Sequence, residues 1–325
     1  RTIMRIGWRR GPRAPRYAPE AIPWRRARPC RTLRKDTGQG IMEDYIRQRD
    51  NVLDYIDANL NRAMTLDELA AVSCYSKYHF SRIFAAIMGE PVFRYIARLK
   101  LERAARWMRI EEEVQITSIA YELGFASCAS FSKAFKERFG MSPTAWKEAR
   151  SSTAYPREGI QAAQPIGEGE RSIFFGDKSL SWQFEIGGTT LVSVRLQDQD
   201  DAPIVYLRYI GASLGDHARF EFAYESLLQW ASAKGIRDCA GKRIFAIYHD
   251  NPLFTEESRL RISAGFEAPP SLEVSGNVGK MLIPRGKYAV ARFEYETREE
   301  YMAVYHFLSE CWLREFGYSP DIHRY

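Results

Sequence analysis

The sequence predicts a multi-domain chain: an all-α double helix-turn-helix domain followed by an α+β domain of two β-α-β-β-like halves. Three observations lead there. One pattern occurs twice, as SKYHFSRIFAAIMG from Ser76 to Gly89 and as SCASFSKAFKERFG from Ser127 to Gly140. Phe80, Arg82, Phe84 and Gly89 of the first copy correspond to Phe131, Lys133, Phe135 and Gly140 of the second. Each copy has a Ser cap before an apolar stripe of period 3.6. Beyond residue 204 the pattern changes to short β-branched and aromatic runs interrupted by two helical stretches. Between them, residues 151–168 (SSTAYPREGIQAAQPIGE) are small, polar and without period, as in a linker.

Residues 1–41 hold 12 Lys/Arg, 2 Asp/Glu and many prolines. They are expected to be a disordered basic leader in front of a natural start at Met42, with an arm for non-specific DNA affinity as the functional alternative. Deleting them is then expected to leave the melting temperature nearly intact.

The first domain is expected over residues 42–150. Ile46, Leu53, Ile56 and Leu60 mark an amphipathic helix. Thr65 with Glu68 forms a capping box for a short second helix. A helix at 76–88 follows, with Phe80, Ile83, Phe84 and Ile87 as its buried stripe. After Pro91 a long helix runs to Ile110, and a short one over 116–123 leads to the helix at 127–139. Ser142 and Pro143 open a closing helix.

The second domain is expected over residues 169–325. Strands are read at 204–210, 244–248, 260–266, 281–283 and 288–295, and helices at 216–234 and 298–316. Gly235 and Gly317 stop those helices.

Charge is divided unevenly: +10 in residues 1–41, +1 in 42–150 and −5 in 151–325. The reader is therefore not basic as a whole. The stretch 82–109, however, holds Arg82, Arg94, Arg98, Lys100, Arg103, Arg106 and Arg109 against Glu90 and Glu102, a local excess suited to phosphates. No apolar run is long enough for a membrane helix, so no membrane partner is expected. The five cysteines form no C-x-x-C pair, which fits a reducing cytoplasm. The histidines (His79, His217, His249, His306, His323) have no metal-ligand spacing, and no nucleophile elbow or phosphate loop is present. No metal, cofactor or catalytic residue is predicted.

On the first recognition helix the buried stripe leaves Lys77, Tyr78, Ser81 and Arg82 outward. Residues in the N-terminal half of such a helix reach base edges. Arg82 can donate two hydrogen bonds to a guanine. On the second, Phe131, Phe135 and Phe139 are read as buried, and Cys128, Ala129, Ser130, Ser132 and Lys133 point outward. That face is small and weakly polar, so it is expected to supply more backbone and apolar contact than base readout.

The stretch 65–146, with SKYHFSRIF, FRYIARLKLERA and IAYELGFASCASFSKAFKERFGMSPTAWK, resembles the AraC/XylS-type DNA-binding domain. The resemblance implies double-stranded DNA as partner, met by Tyr78, Ser81, Arg82, Ser132 and Lys133, with the two helices in successive major-groove segments ~34 Å apart. RNA polymerase is expected as a further, protein partner. The rear part, through VYLRYIG, YAVARFEY and CWLREFGYSPDIHRY, resembles the GyrI-like effector-binding domain. That resemblance implies a cleft for a small hydrophobic or cationic effector, lined by aromatics and a buried Glu. The candidates are Tyr206, Trp230, Tyr248, Phe293, Tyr295 and Trp312, with Glu267, or else Glu294, as the carboxylate. The family pattern continues past Tyr325 with an acidic residue and a strand, so Glu267 and Glu294 stand as substitutes for a carboxylate of that segment. The reading is a sequence-specific transcription regulator that senses such a molecule. The alternatives are a rear domain that recruits a protein, or a GyrI-like hydrolase fused to a DNA reader.

Overall fold

The computed structural model of the protein describes residues 2–10, 38–111, 113–149, 160–161, 181–186, 190–211, 217–236, 243–252, 254–308 and 318–320. The front of the molecule is helical: α1 (Gly38–Ala58), α2 (Leu66–Ser73), α3 (Lys77–Met88), α4 (Val92–Ile110), α5 (Ile116–Glu122), α6 (Cys128–Phe139) and α7 (Pro143–Ala149). The local signals are used as read. Thr65 and Glu68 close a capping box on α2, Ser76 accepts from the His79 amide, and Ser142 accepts from the Ala145 amide at 3.1 Å.

Two cores lie side by side. One holds Leu53, Ile56, Leu69, Phe80, Phe84 and Tyr95; the other holds Met108, Ile119, Leu123, Phe131 and Phe135. The long helix α4 serves both, its first half packing into one and its second half into the other. Gly124 is required where the second unit meets the α1–α2 loop. Its φ is +67°, and a Cβ there would lie 2.8 Å from the Arg62 backbone. The expected stripe of α3 is shorter than read. Ile87 is 37% exposed and lines a cavity with Ile46 and Arg49, while the next residue, Met88, packs against the first core.

The rear is an α+β domain of β4 (Thr190–Gln199), β5 (Ala202–Ile210), α8 (His217–Ala233), β6 (Ile244–Tyr248), β7 (Arg261–Glu267), β8 (Gly279–Ile283), β9 (Gly286–Phe293) and α9 (Arg298–His306). These are joined by β1 (Thr2–Arg10), β2 (Ile160–Gln161), β3 (Ser181–Ile186) and β10 (Tyr318–Pro320). Among the described residues there are two sheets, ordered β6-β7-β5-β8 and β10-β1-β9-β4-β3-β2. The halves exchange strands: β4, which precedes β5, pairs with β9, and β8, which precedes β9, pairs with β5. Strands β2, β3, β4 and β10 were not foreseen. The expected helix to residue 316 is described as α9 only to His306, and Trp312 lies outside the described residues.

Two expectations need correction. The leader is not without structure: Thr2–Arg10 is a strand, antiparallel to both β9 and β10. It fills between β9 and β10 the place that β7 fills between β5 and β6. Its period-2 signal, Met4, Ile6 and Trp8 alternating with Arg5, Gly7 and Arg9, was hidden by the Arg/Pro excess of the whole 41 residues. The linker also contributes, since Ile160 and Gln161 pair with Ile186 and Glu185. Deleting residues 1–10 is therefore expected to lower the melting temperature by several degrees, because two strands lose their ladder partner. Thermal unfolding by circular dichroism checks this; an unchanged midpoint would return β1 to the status of a dispensable arm.

Candidate functional site

The outer faces of both recognition helices are open with the rear domain in place. On α3, Tyr78 is 76% exposed and the exposed Arg82 guanidinium lies 5.9 Å from its ring centroid. Lys77 is exposed but paired with Asp67 at 2.6 Å, and Ser81 is partly covered. On α6, Ala129 and Lys133 are exposed, and Cys128 and Ser132 are partly covered. Ser130 does not belong with the free outward groups. Its hydroxyl accepts from the Ser127 amide at 3.3 Å and donates to the Ser127 carbonyl at 2.8 Å, so it is occupied by its own cap.

The local basic excess is also partly spent inside. Arg98 is buried between Glu90 and Glu102. Lys100 donates to the Arg62 carbonyl at 2.9 Å, and burial pushes its ammonium down to about 8. Arg82 and Arg94 remain exposed on this stretch.

Sequence reasoning missed the seam between the two domains. Helix α1 lays Asp50, Asp54 and Asp57 against the face of the β6-β7-β5-β8 sheet that carries two buried arginines. Arg208 donates to Asp54 at 2.6 Å and to Ser263 at 3.2 Å. Arg261 grips Asp250 with two nitrogens at 2.9 and 2.7 Å and reaches Asp57 at 2.8 Å. Tyr206, expected to line a ligand cleft, is instead in this seam and donates to Asp54 at 2.7 Å. Desolvation raises the Asp50 and Asp57 carboxyls, against the pull of Arg208 and Arg261. The signal was available: Asp50, Asp54 and Asp57 fall at i, i+4 and i+7, a charged stripe in the middle of an apolar one. Beside the seam, a cavity of about 500 Å3 is lined by Ile46, Arg49, Ile87, Arg208, Ile210 and Asn277.

His249 sits in the same seam, its Nε2 2.8 Å from Ser263 Oγ and 3.4 Å from Arg208. Burial, then Arg208 and Arg261, hold its imidazole well below the ordinary value. The folded state thus keeps His249 neutral while the unfolded chain protonates below about 6.5. Its contribution is present above that pH and is lost as pH falls, by about 1.4 kcal/mol per unit. Between pH 7 and 5.5 the wild-type midpoint should fall more than that of His249→Asn; parallel curves would discount the residue.

The other ligand candidates are divided. Tyr248, Phe293 and Tyr295 are brought together with Tyr301 and Phe220 in one aromatic cluster between the halves. Tyr301 is 5.0 Å from Tyr295, 5.9 Å from Phe293 and 6.1 Å from Tyr248, and Phe220 is 6.2 Å from Tyr248. Phe293 is only 3% exposed and is part of the core. Trp230 is elsewhere, packed on the α8 side of the sheet with its indole N–H on Ser275 at 3.4 Å. Glu267 is not a buried counter-charge. It is paired with Arg243 at 2.9 Å near the surface, because its position at the end of β7 faces solvent. Glu294 is exposed.

Comparison with known proteins agrees with this architecture. A helix-turn-helix domain family matches residues 69–149, and a GyrI-like small molecule binding domain family matches residues 193–325. The HTH-type transcriptional activator AarP of Providencia stuartii is 36% identical over 96 residues, which are 30% of this chain and 70% of AarP. The probable transcription factor PqrA of Proteus vulgaris is 32% identical over 101 residues, 30% of this chain and 82% of PqrA. Transcriptional regulator Rob of Salmonella typhimurium is 29% identical over 118 residues, and the match spans only 39% of Rob. The crystal structure of the AdpA DNA-binding domain in complex with a target DNA is 21% identical, covers 32% of this chain and 94% of that chain, and has a TM-score of 0.31. No helix among the described residues is long and apolar enough to cross a membrane. With its duplicated helix-turn-helix units and the α+β domain behind them, the chain belongs to the AraC/Rob-type transcriptional regulators that carry a GyrI-like small-molecule-binding domain.

Proposed function

We propose that this DNA-binding regulator reads a specific operator through α3 and α6, with Tyr78 and Arg82 as the principal base-reading pair and Lys133 and Ala129 as the weaker second contact. The observation that carries this is the exposure of those side chains on helices whose opposite faces are fixed in two separate cores. The exposed Arg82 presents a planar guanidinium fork that matches the two major-groove acceptors of guanine, with the Tyr78 ring 5.9 Å away. The rear domain senses a small hydrophobic or cationic molecule through the Tyr248, Tyr295 and Tyr301 cluster, whose π faces favour such a ligand. RNA polymerase is the proposed protein partner, and the chain acts by binding and not by catalysis.

The test is a binding titration of the full chain against duplexes selected from a random pool. Arg82→Ala should cost about 1–3 kcal/mol of specific affinity and relax the preference at one base pair. Equal affinity and equal preference would remove Arg82 from the reading face. Effector sensing is tested separately, by thermal shift with cationic aromatic dyes, since a bound ligand stabilises by mass action.

A further inference from the structure

The two helix-turn-helix units have separate cores, and α4 is the element shared by both. The α1–α2 loop also meets the second unit, at Gly124. Further ties at the ends of α3 and α6 would add to these two in keeping the recognition helices at one separation.

A row of alternating charges supplies them. Arg98 donates to Glu90 at 2.9 Å and to Glu102 at 3.3 Å, and all three are buried. Arg138, in the last turn of α6, reaches Glu102 at 3.1 Å. The row thus runs from the end of the first unit to the end of the second recognition helix. The loop between β6 and β7 meets this row at both ends. Arg259 is 3.2 Å from Glu90. Thr255, 4% exposed, donates to Glu102 at 2.8 Å, and the Phe254 carbonyl accepts from Arg138 at 3.2 Å. The Phe254 ring lies 5.9 Å from Trp146 of α7. Every charge in the row has an opposite neighbour, and the loop is wedged into place by buried contacts.

We propose that this loop of the rear domain is a strut that holds the two recognition helices at one separation, making Thr255 and Arg259 positioning residues that set the half-site spacing the protein accepts. The proposal rests on the assignment of α3 and α6 as DNA readers. It also gives the rear domain a direct hold on that spacing. Tyr248, in the aromatic cluster, lies two residues before Asp250, and Asp250 is locked to Arg261 at the far end of the loop. A molecule that moves Tyr248 moves the strut.

The experiment uses the full chain and the selected operator, with the distance between its two half-sites changed in single base-pair steps. Wild type should show one sharp optimum. In Thr255→Val/Arg259→Ala, discrimination against the neighbouring spacings should fall by about tenfold, and the affinity for the best spacing should change much less. Thr255→Ser keeps the donor and should retain the optimum. A second readout needs no DNA: spin labels on the exposed Ala86 and Glu137, in a cysteine-free background, report the distance between α3 and α6. The distribution should be narrow in wild type and broad in the double variant. A folded double variant with unchanged discrimination and an unchanged narrow distance would overturn the proposal. If the double variant does not fold, Arg259→Ala alone, at a partly exposed position, is read the same way, and an unchanged optimum and distance again overturn it. If the chain selects no operator, the DNA-reading assignment fails, and the spin-label distances still decide whether the strut exists.

Discussion

Arg261→Ala should lower stability by about 3–5 kcal/mol. The guanidinium is 2% exposed and is the group that neutralises both Asp250 and Asp57, themselves buried. It also lies over the Tyr95 ring, so its removal opens a gap against the first reader core. Without it, two carboxylates keep the desolvation cost and lose the guanidinium hydrogen-bonded to them. Asp57, already raised by burial, must then take a proton. The sign with pH follows. A carboxyl raised above its unfolded value makes the folded state bind more protons, so the deficit of the variant should shrink as pH falls toward 5. Asp57→Asn in the Arg261→Ala background should recover part of the loss, a coupling that a double-mutant cycle in urea reads directly. A loss below about 1 kcal/mol would mean that the seam opens to water and that the domains are held elsewhere.

The second large effect separates core from ligand site within one strand end. Phe293→Ala should cost about 3–5 kcal/mol, because the ring is buried among Tyr301, Val304 and Ala291. Tyr295 is only partly buried beside the same rings. Tyr295→Ala should keep most of the stability and weaken the binding of a cationic aromatic dye, which loses a π face worth about 0.5–2 kcal/mol. Operator affinity without dye should stay the same. Dye binding unchanged in a folded Tyr295→Ala protein would move the site away from the cluster, toward the cavity beside Ile46 and Arg49. A Phe293→Ala protein as stable as wild type would show that this end of β9 packs on no core.

The helices of the reader were legible because their signals are local. The cap at Thr65, the Ser at 76 and 127, the αL glycines at 89 and 140 and the 3.6 period all act within one or two turns. Likewise β5, β6 and β7 carry their own alternation and content. Strand β1 carried a short period-2 alternation that the Arg/Pro excess of the leader outweighed, and a strand is completed by its neighbours. Thr2–Arg10 finds them in β9 and β10. The rear carboxylates and aromatics misled for a similar reason. Tyr206 and Tyr248 look alike in sequence, but one faces α1 and the other faces α9.

By itself the sequence determined the duplicated reader, its caps, its two aromatic stripes and the change to an α+β domain, because each depends on residues a few positions apart. The tertiary structure alone decided which charges are used inside. Arg98 and Lys100 look like phosphate ligands in the sequence, and both are buried. Arg208 finds Asp54 across 154 positions, and Thr255 finds Glu102 across 153. No period or spacing encodes such pairs. They form where two packed surfaces exclude water, and there an ion that lacks a partner is too costly to keep.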